Sequence, residues 1–150
     1  MIRISVLVLA ALLLASCGSE SPDKSAADVG EPTIIGVYSG TAAGGEAVAP
    51  VVDVGHFEGQ TDLLGMIRGP LRAEVMAAIT DTVVPDGQRL VGGIVSIGCG
   101  TPSSAELVDK GAVLIFTPVW ATKPPQECFA AVTSIALALL PDGWSASTGS

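Results

Sequence analysis

Residues 129–139 read FAAVTSIALAL, and this stretch decides the predicted fold. The residues at every second position from Phe129 to Leu139 form one apolar series that is interrupted only by Thr133. A period of two is typical of a β-strand that turns one face to the core. Pro141-Asp142-Gly143 follows and predicts a turn at the end of this strand.

Four further strands are predicted from short β-branched or apolar runs bounded by turn residues. They cover residues 33–38, 48–54, 89–99 and 112–117. Pro50 lies inside the second run and suits an edge strand, because proline has no N–H to donate. The turn at Pro85-Asp86-Gly87-Gln88 predicts that residues 89–99 pair as a hairpin with the segment before it.

That preceding segment, residues 71–82, is ambiguous. Leu71, Ala73, Val75, Ala77 and Ile79 alternate as in a strand, but Gly69-Pro70 comes first and most of the residues are good helix formers. Residues 129–140 also have a helical alternative. The alternation favours strands, so we predict an all-β fold, a small antiparallel β-sandwich of about five to seven strands. The fold becomes α+β if 71–82 and 129–140 are both helical.

The composition excludes two classes of protein. Of the 150 residues, 49% are hydrophobic and 15% are charged, which is too apolar for a wholly disordered polar chain. Seven Lys and Arg face 15 Asp and Glu, for a net charge of −8, and the basic residues do not cluster. We therefore expect no nucleic acid among the partners.

The chain begins MIRISVLVLAALLLASC, in which Arg3 precedes an apolar run from Val6 to Ala15. Such a run makes about 15 Å of helix, half of a bilayer core of ~30 Å, so it predicts an export signal and no spanning helix. Leu14-Ala15-Ser16-Cys17 resembles the lipobox of bacterial lipoproteins. The resemblance implies cleavage before Cys17, acylation of its thiol, and a lipid-anchored protein on the extracytoplasmic face of the cell membrane.

These features divide the chain into four parts. Residues 1–16 are the predicted lipoprotein signal peptide, and residues 17–32 are the lipidated Cys17 with a flexible tether. The tether sequence GSESPDKSAADVGEP at 18–32 has too few apolar residues to fold. Residues 33–144 form a single globular domain, and residues 145–150 form a flexible tail.

With Cys17 lipidated, two thiols remain, those of Cys99 and Cys128. In an oxidising compartment such a pair predicts a disulfide between strand ends. Free thiols, or a redox or metal-binding pair, are the alternatives. The sequence has no CxxC motif, and the local charge around the two cysteines is not positive, so nothing favours a reactive thiolate.

His56 is the only histidine, and three carboxylates, those of Asp53, Glu58 and Asp62, lie within six residues of it. One histidine with two or three carboxylates is a known ligand set for a divalent cation. Metal sites usually draw their ligands from regular structure, whereas this stretch predicts a solvated acidic loop. A small metal-handling protein or enzyme built on these residues is therefore the alternative function.

Trp120 is the one candidate for a binding residue, because it lies in the stiff, proline-flanked stretch 117–125. It is either an exposed anchor for a partner or a core residue packed on Phe116 or Phe129. The main prediction is a non-catalytic binding or interaction domain without a cofactor. Its partners are the lipid bilayer, reached through acylated Cys17, and a protein or small-molecule ligand of unknown identity.

Overall fold

The computed structural model describes residues 30–46, 49–111 and 113–144. Its elements, in chain order, are β1 (Thr33–Thr41), β2 (Val52–Asp53), α1 (Phe57–Met66), α2 (Gly69–Asp81), β3 (Gln88–Gly98), β4 (Ser104–Asp109), β5 (Leu114–Val119) and β6 (Val132–Pro141). The predicted signal peptide, Cys17, most of the tether and the tail lie outside the described residues. Within the described ranges, neither helix has the length and apolar character needed to cross a membrane.

The strands form two antiparallel sheets. The larger sheet has the order β1-β6-β3-β2, and the smaller one is the hairpin of β4 and β5. β6 lies in the middle of the larger sheet, where its residue Ala136 is opposite Val37 of β1 and Gly93 of β3. The stretch predicted to decide the fold thus forms most of β6, one of the two interior strands of the larger sheet.

The alternation along β6 creates two cores, one on each side of the larger sheet. Ile135 and Leu137 belong to the core shared with the helices, to which α2 contributes three residues spaced by four: Leu71, Val75 and Ile79. Ala136, Ala138 and Leu140 belong to the core shared with the hairpin, where Phe116 is also buried. The predicted small antiparallel β-rich fold is confirmed, with two helices covering its second face.

The strand predicted over residues 71–82 is wrong. These residues lie in α2, which has Pro70 in its first turn. Leu71, Val75 and Ile79 are buried, whereas Ala73 and Ala77 are exposed. Positions spaced by four fit both a period of two and a period of 3.6, so the buried residues obey either pattern. The alanines at positions 73 and 77 completed the strand pattern in the sequence, although they face solvent in the structure. The segment forms a helix because most of its residues have a high helix propensity.

Three further expectations need correction. Because 71–82 is helical, β3 has no hairpin partner there and pairs instead with β6 and β2. Of the second predicted strand, 48–54, the described residues 49–54 contain only the two strand residues of β2. The stretch around Glu58 and Asp62, predicted to be a loop, is largely α1. This helix packs so closely on β2 that a Cβ added to Gly59 would overlap the carbonyl oxygen of Asp53.

Candidate functional site

The register of the larger sheet gives the domain two distinct ends. β1 ends at Thr41 opposite Val132, the first residue of β6, and β3 also ends there with Gly98. We call this the disulfide end. At the other end β1 begins, and Gly30 lies beside Pro141 at the end of β6. We call that the Glu31 end. The ten residues of β6 separate the two ends by about 30 Å.

A disulfide joins Cys99 to Cys128, as predicted, with their Cα atoms 5.3 Å apart. Cys99 directly follows β3, and Cys128 lies four residues before β6 begins. The bond closes a loop across a sequence separation of 29 residues, and this loop contains the whole β4–β5 hairpin. It therefore fixes the base of the segment that leads back from the hairpin to β6.

Trp120 lies at this base and is half-buried. A Cβ added to Gly100 would be 3.0 Å from the Cζ3 atom of the Trp120 ring and 2.8 Å from the Cβ atom of Pro124. The absence of a side chain at Gly100 thus lets the indole and Pro124 approach the backbone beside Cys99. Trp120 thus lies between the two predicted placements, since its ring packs beside Gly100 while the residue as a whole is only half-buried.

Phe129, next to the disulfide, is fully exposed. The sequence pattern assigned it to the strand, but pairing of β6 begins only at Val132. The reason is the length of the neighbouring strand, since β1 ends at Thr41, opposite Val132. The only hint in the sequence is that Phe129 directly follows a cysteine expected at a strand end.

The segment that carries Phe129 is held on both sides. On one side Cys128 is bonded to Cys99. On the other side the carbonyl of Ala131 accepts a hydrogen bond of 2.8 Å from the amide of Ala42. Glu127, Cys128 and Phe129 line an open recess at this surface. The result is a large apolar side chain displayed on a fixed base, which is the geometry of an interface anchor.

The residues around His56 are arranged differently from a metal site. The His56 side chain is 82% exposed, and its Nε2 atom lies 3.9 Å from Oδ2 of Asp53. The other carboxylate oxygen of Asp53 accepts a hydrogen bond of 2.9 Å from the amide of Gly55. Glu58 and Asp62 are exposed on α1. In the part of the chain that the structure describes, no three His, Cys, Asp or Glu side chains come together as metal ligands.

No family model, no curated protein and no solved structure matches this chain.

Proposed function

We propose that this protein is an extracytoplasmic lipoprotein, anchored in the cell membrane through Cys17, whose domain is a non-catalytic binding module that engages a partner protein through Phe129. The binding surface is proposed because the Phe129 side chain is exposed on a base that the Cys99–Cys128 disulfide fixes. The anchor is supported by the sequence Leu14-Ala15-Ser16-Cys17 and the apolar run before it. Two acyl chains on one cysteine are enough for stable membrane binding.

The positions of the two ends of the domain support an anchor at one end and a binding surface at the other. The chain enters the domain at the Glu31 end, whereas Phe129 lies at the disulfide end, about 30 Å away along β6. A protein anchored through residue 17 would thus hold Phe129 on the side of the domain remote from the point where the tether joins it. This placement leaves the Phe129 surface open to a partner in the extracytoplasmic space.

A protein partner is favoured by the kind of surface that Phe129 offers. The phenyl ring stands out from the domain, and the recess beside it is open, so the ring is suited to enter a pocket on another molecule. Interface anchors of this type contribute about 2 kcal/mol or more, which corresponds to roughly 30-fold in Kd. Because Phe129 is held on both sides, little conformational entropy is lost when it is buried.

The experiment is photocrosslinking in cells that produce the full-length protein. Phe129→p-benzoylphenylalanine places the reactive group on the proposed surface, and Phe57→p-benzoylphenylalanine is the matched control. Phe57 is 82% exposed. It lies near the Glu31 end, because Val54, three residues before it, donates a hydrogen bond to Leu90 near the start of β3. The proposal predicts a discrete protein adduct from position 129 that position 57 does not give. No adduct at 129, or the same adducts from both positions, would contradict it.

A further inference from the structure

The two sheets are joined by a main-chain hydrogen bond along one side of the domain, and no such bond joins the described residues along the other side, which we call the open side. On the joined side, the amide of Val51 donates a hydrogen bond of 2.9 Å to the carbonyl of Leu114 in β5. Val51 directly precedes β2, the edge strand of the larger sheet. On the open side, β1 and β4 are the outer strands, and in the described residues β1 pairs only with β6 and β4 only with β5.

A groove lies on this open side, between the start of β1 and the middle of β4. Its lining residues come from the start of β1, from β4 and from the segment after β6: Glu31, Pro32, Ile34, Ala105, Glu106, Leu107, Val108 and Trp144. The groove therefore lies between two strands that each have a free edge. We call it the β1–β4 groove.

The register of the hairpin shows which backbone groups of β4 face outward. The amide of Lys110 donates to the carbonyl of Val113 at the hairpin turn, so hydrogen-bonded pairs recur at every second residue from there. Ala105 and Leu107 occupy the alternate positions, and their N–H and C=O groups point away from β5. Pro118, which has no N–H, lies opposite Ala105 and fits this assignment. Both residues line the groove, where Leu107 is half-buried and Ala105 is buried.

β1 also has the character of a strand that can accept a partner. Its sequence, TIIGVYSGT, contains no charged residue and no proline, the two features with which proteins usually protect a free strand edge. One bulge, between Ile34 and Gly36, interrupts its register with β6. Free main-chain groups on the two sides of a groove are the basis of strand addition, in which an extended peptide pairs with an exposed edge.

We propose that the β1–β4 groove binds an extended, positively charged peptide segment of another protein by strand addition. The exposed carboxylates of Glu31 and Glu106 lie at the groove, and none of its lining residues is Lys or Arg. Ile34, Leu107 and Trp144 supply its apolar surface. A strand with basic side chains on one face and apolar side chains on the other matches both features, because side chains alternate between the faces of a strand.

The charges also disfavour a second copy of this chain as the occupant. Thr33–Thr41 of another copy would bring a free strand edge but no cation, so Glu31 and Glu106 would stay unpaired. The net charge of −8 adds long-range repulsion between copies and attraction for a basic segment. This groove lies on the open side of the sheets and not at the Phe129 surface, so the inference does not depend on the proposed function.

The test uses the full chain in non-ionic detergent with Trp120→Phe, so that Trp144 at the groove reports binding by its fluorescence. The probe is a nine-residue peptide of alternating lysine and valine. A glutamate–valine peptide tests charge, and a lysine–valine peptide N-methylated at every second residue tests main-chain pairing. The binding variant is Glu31→Gln with Glu106→Gln. Its matched control is Glu46→Gln with Glu74→Gln, which makes the same charge change at exposed positions outside both the groove and the Phe129 surface.

We expect the lysine–valine peptide to bind at least tenfold more tightly than either of the other two peptides. The Glu31/Glu106 variant should weaken this binding at least tenfold, and the control variant less than twofold. Equal binding of the N-methylated peptide would overturn the proposal, since charge alone would then explain the affinity. So would equal effects of the two double variants, the absence of binding, or self-association of the chain that the lysine–valine peptide does not reverse.

Discussion

The amide of Val51 donates a 2.9 Å hydrogen bond to the carbonyl of Leu114, and this bond links the segment before β2 to β5 of the hairpin. Val51 also packs against the core between the two sheets. Among the described residues, the hairpin is therefore attached to the larger sheet by main-chain hydrogen bonding on this side only. The opposite side, between β1 and β4, is left with the groove.

Removing the donor of this bond is expected to loosen the hairpin. Val51→Pro removes the N–H, whereas Val51→Ala keeps it and loses only side-chain contacts. We expect Val51→Pro to lower the free energy of unfolding by about 1 kcal/mol or more beyond the effect of Val51→Ala, the typical net value of one hydrogen bond. Urea unfolding of both variants measures the difference. Equal stability of the two would mean that the bond does not hold the sheets together.

The helical nature of residues 69–81 predicts a specific pattern of mutational effects. Leu71 is buried and Ala73 is exposed, although a strand would turn both side chains to the same face. Leu71→Ala should reduce the free energy of unfolding by about 2–5 kcal/mol, the range for buried leucines. Ala73→Ser should change it by less than about 0.5 kcal/mol, as at most surface positions. A large loss for Ala73→Ser, measured by the same urea unfolding, would contradict the helix.

The strands could be predicted from the sequence where their apolar residues had no helical alternative. β6 is the clearest example, because Ile135 and Leu137 enter one core while Ala136 and Ala138 enter the other. In α2 the same two-residue period was produced by exposed alanines, so helix propensity carried more information than the pattern. α1 was not predicted at all, since its glycines and polar residues resemble a loop and its tertiary contacts through Leu63 and Leu64 are not visible locally.

Within the candidate site, only the disulfide could be predicted from the sequence. Cys99 and Cys128 could be paired by counting cysteines, and the structure joins them. The exposure of Phe129 depends on where β1 ends, which is a long-range property of the sheet. The position of Trp120 against Gly100 likewise needs the disulfide and the loop to be in place. Residue type suggested an aromatic anchor in this region, and tertiary structure determines which ring is displayed.

The disulfide is expected to be a main source of stability. Closing a loop across 29 residues contributes about 3.5 kcal/mol in the chain-entropy treatment. The double variant Cys99→Ser with Cys128→Ser should lose a free energy of unfolding of this order. In a Cys17→Ala background, thiol labelling of the unfolded but unreduced chain should find no reactive cysteine. Two labels per chain would show that the bond does not form.

The contact between Gly100 and Trp120 can be tested by fluorescence. A methyl group at position 100 would lie too close to the indole and to Pro124, so Gly100→Ala should push Trp120 outward. In a Trp144→Phe background we expect a red-shifted emission and stronger quenching by iodide. Gly98→Ala is the matched control, because a Cβ there has no neighbour within 4 Å. The same spectrum for Gly100→Ala and Gly98→Ala would contradict the placement of Trp120.

The most direct test of the proposed membrane-anchored module is mass spectrometry of the N-terminal peptide of the mature protein, isolated from membranes of the producing cells. We expect the mature chain to begin at Cys17 and to carry a diacylglyceryl group on its sulfur, and we expect Cys17→Ala to release the protein from the membrane fraction. A mature chain that begins at another residue, or an unmodified Cys17 in a protein that still requires detergent for extraction, would contradict it.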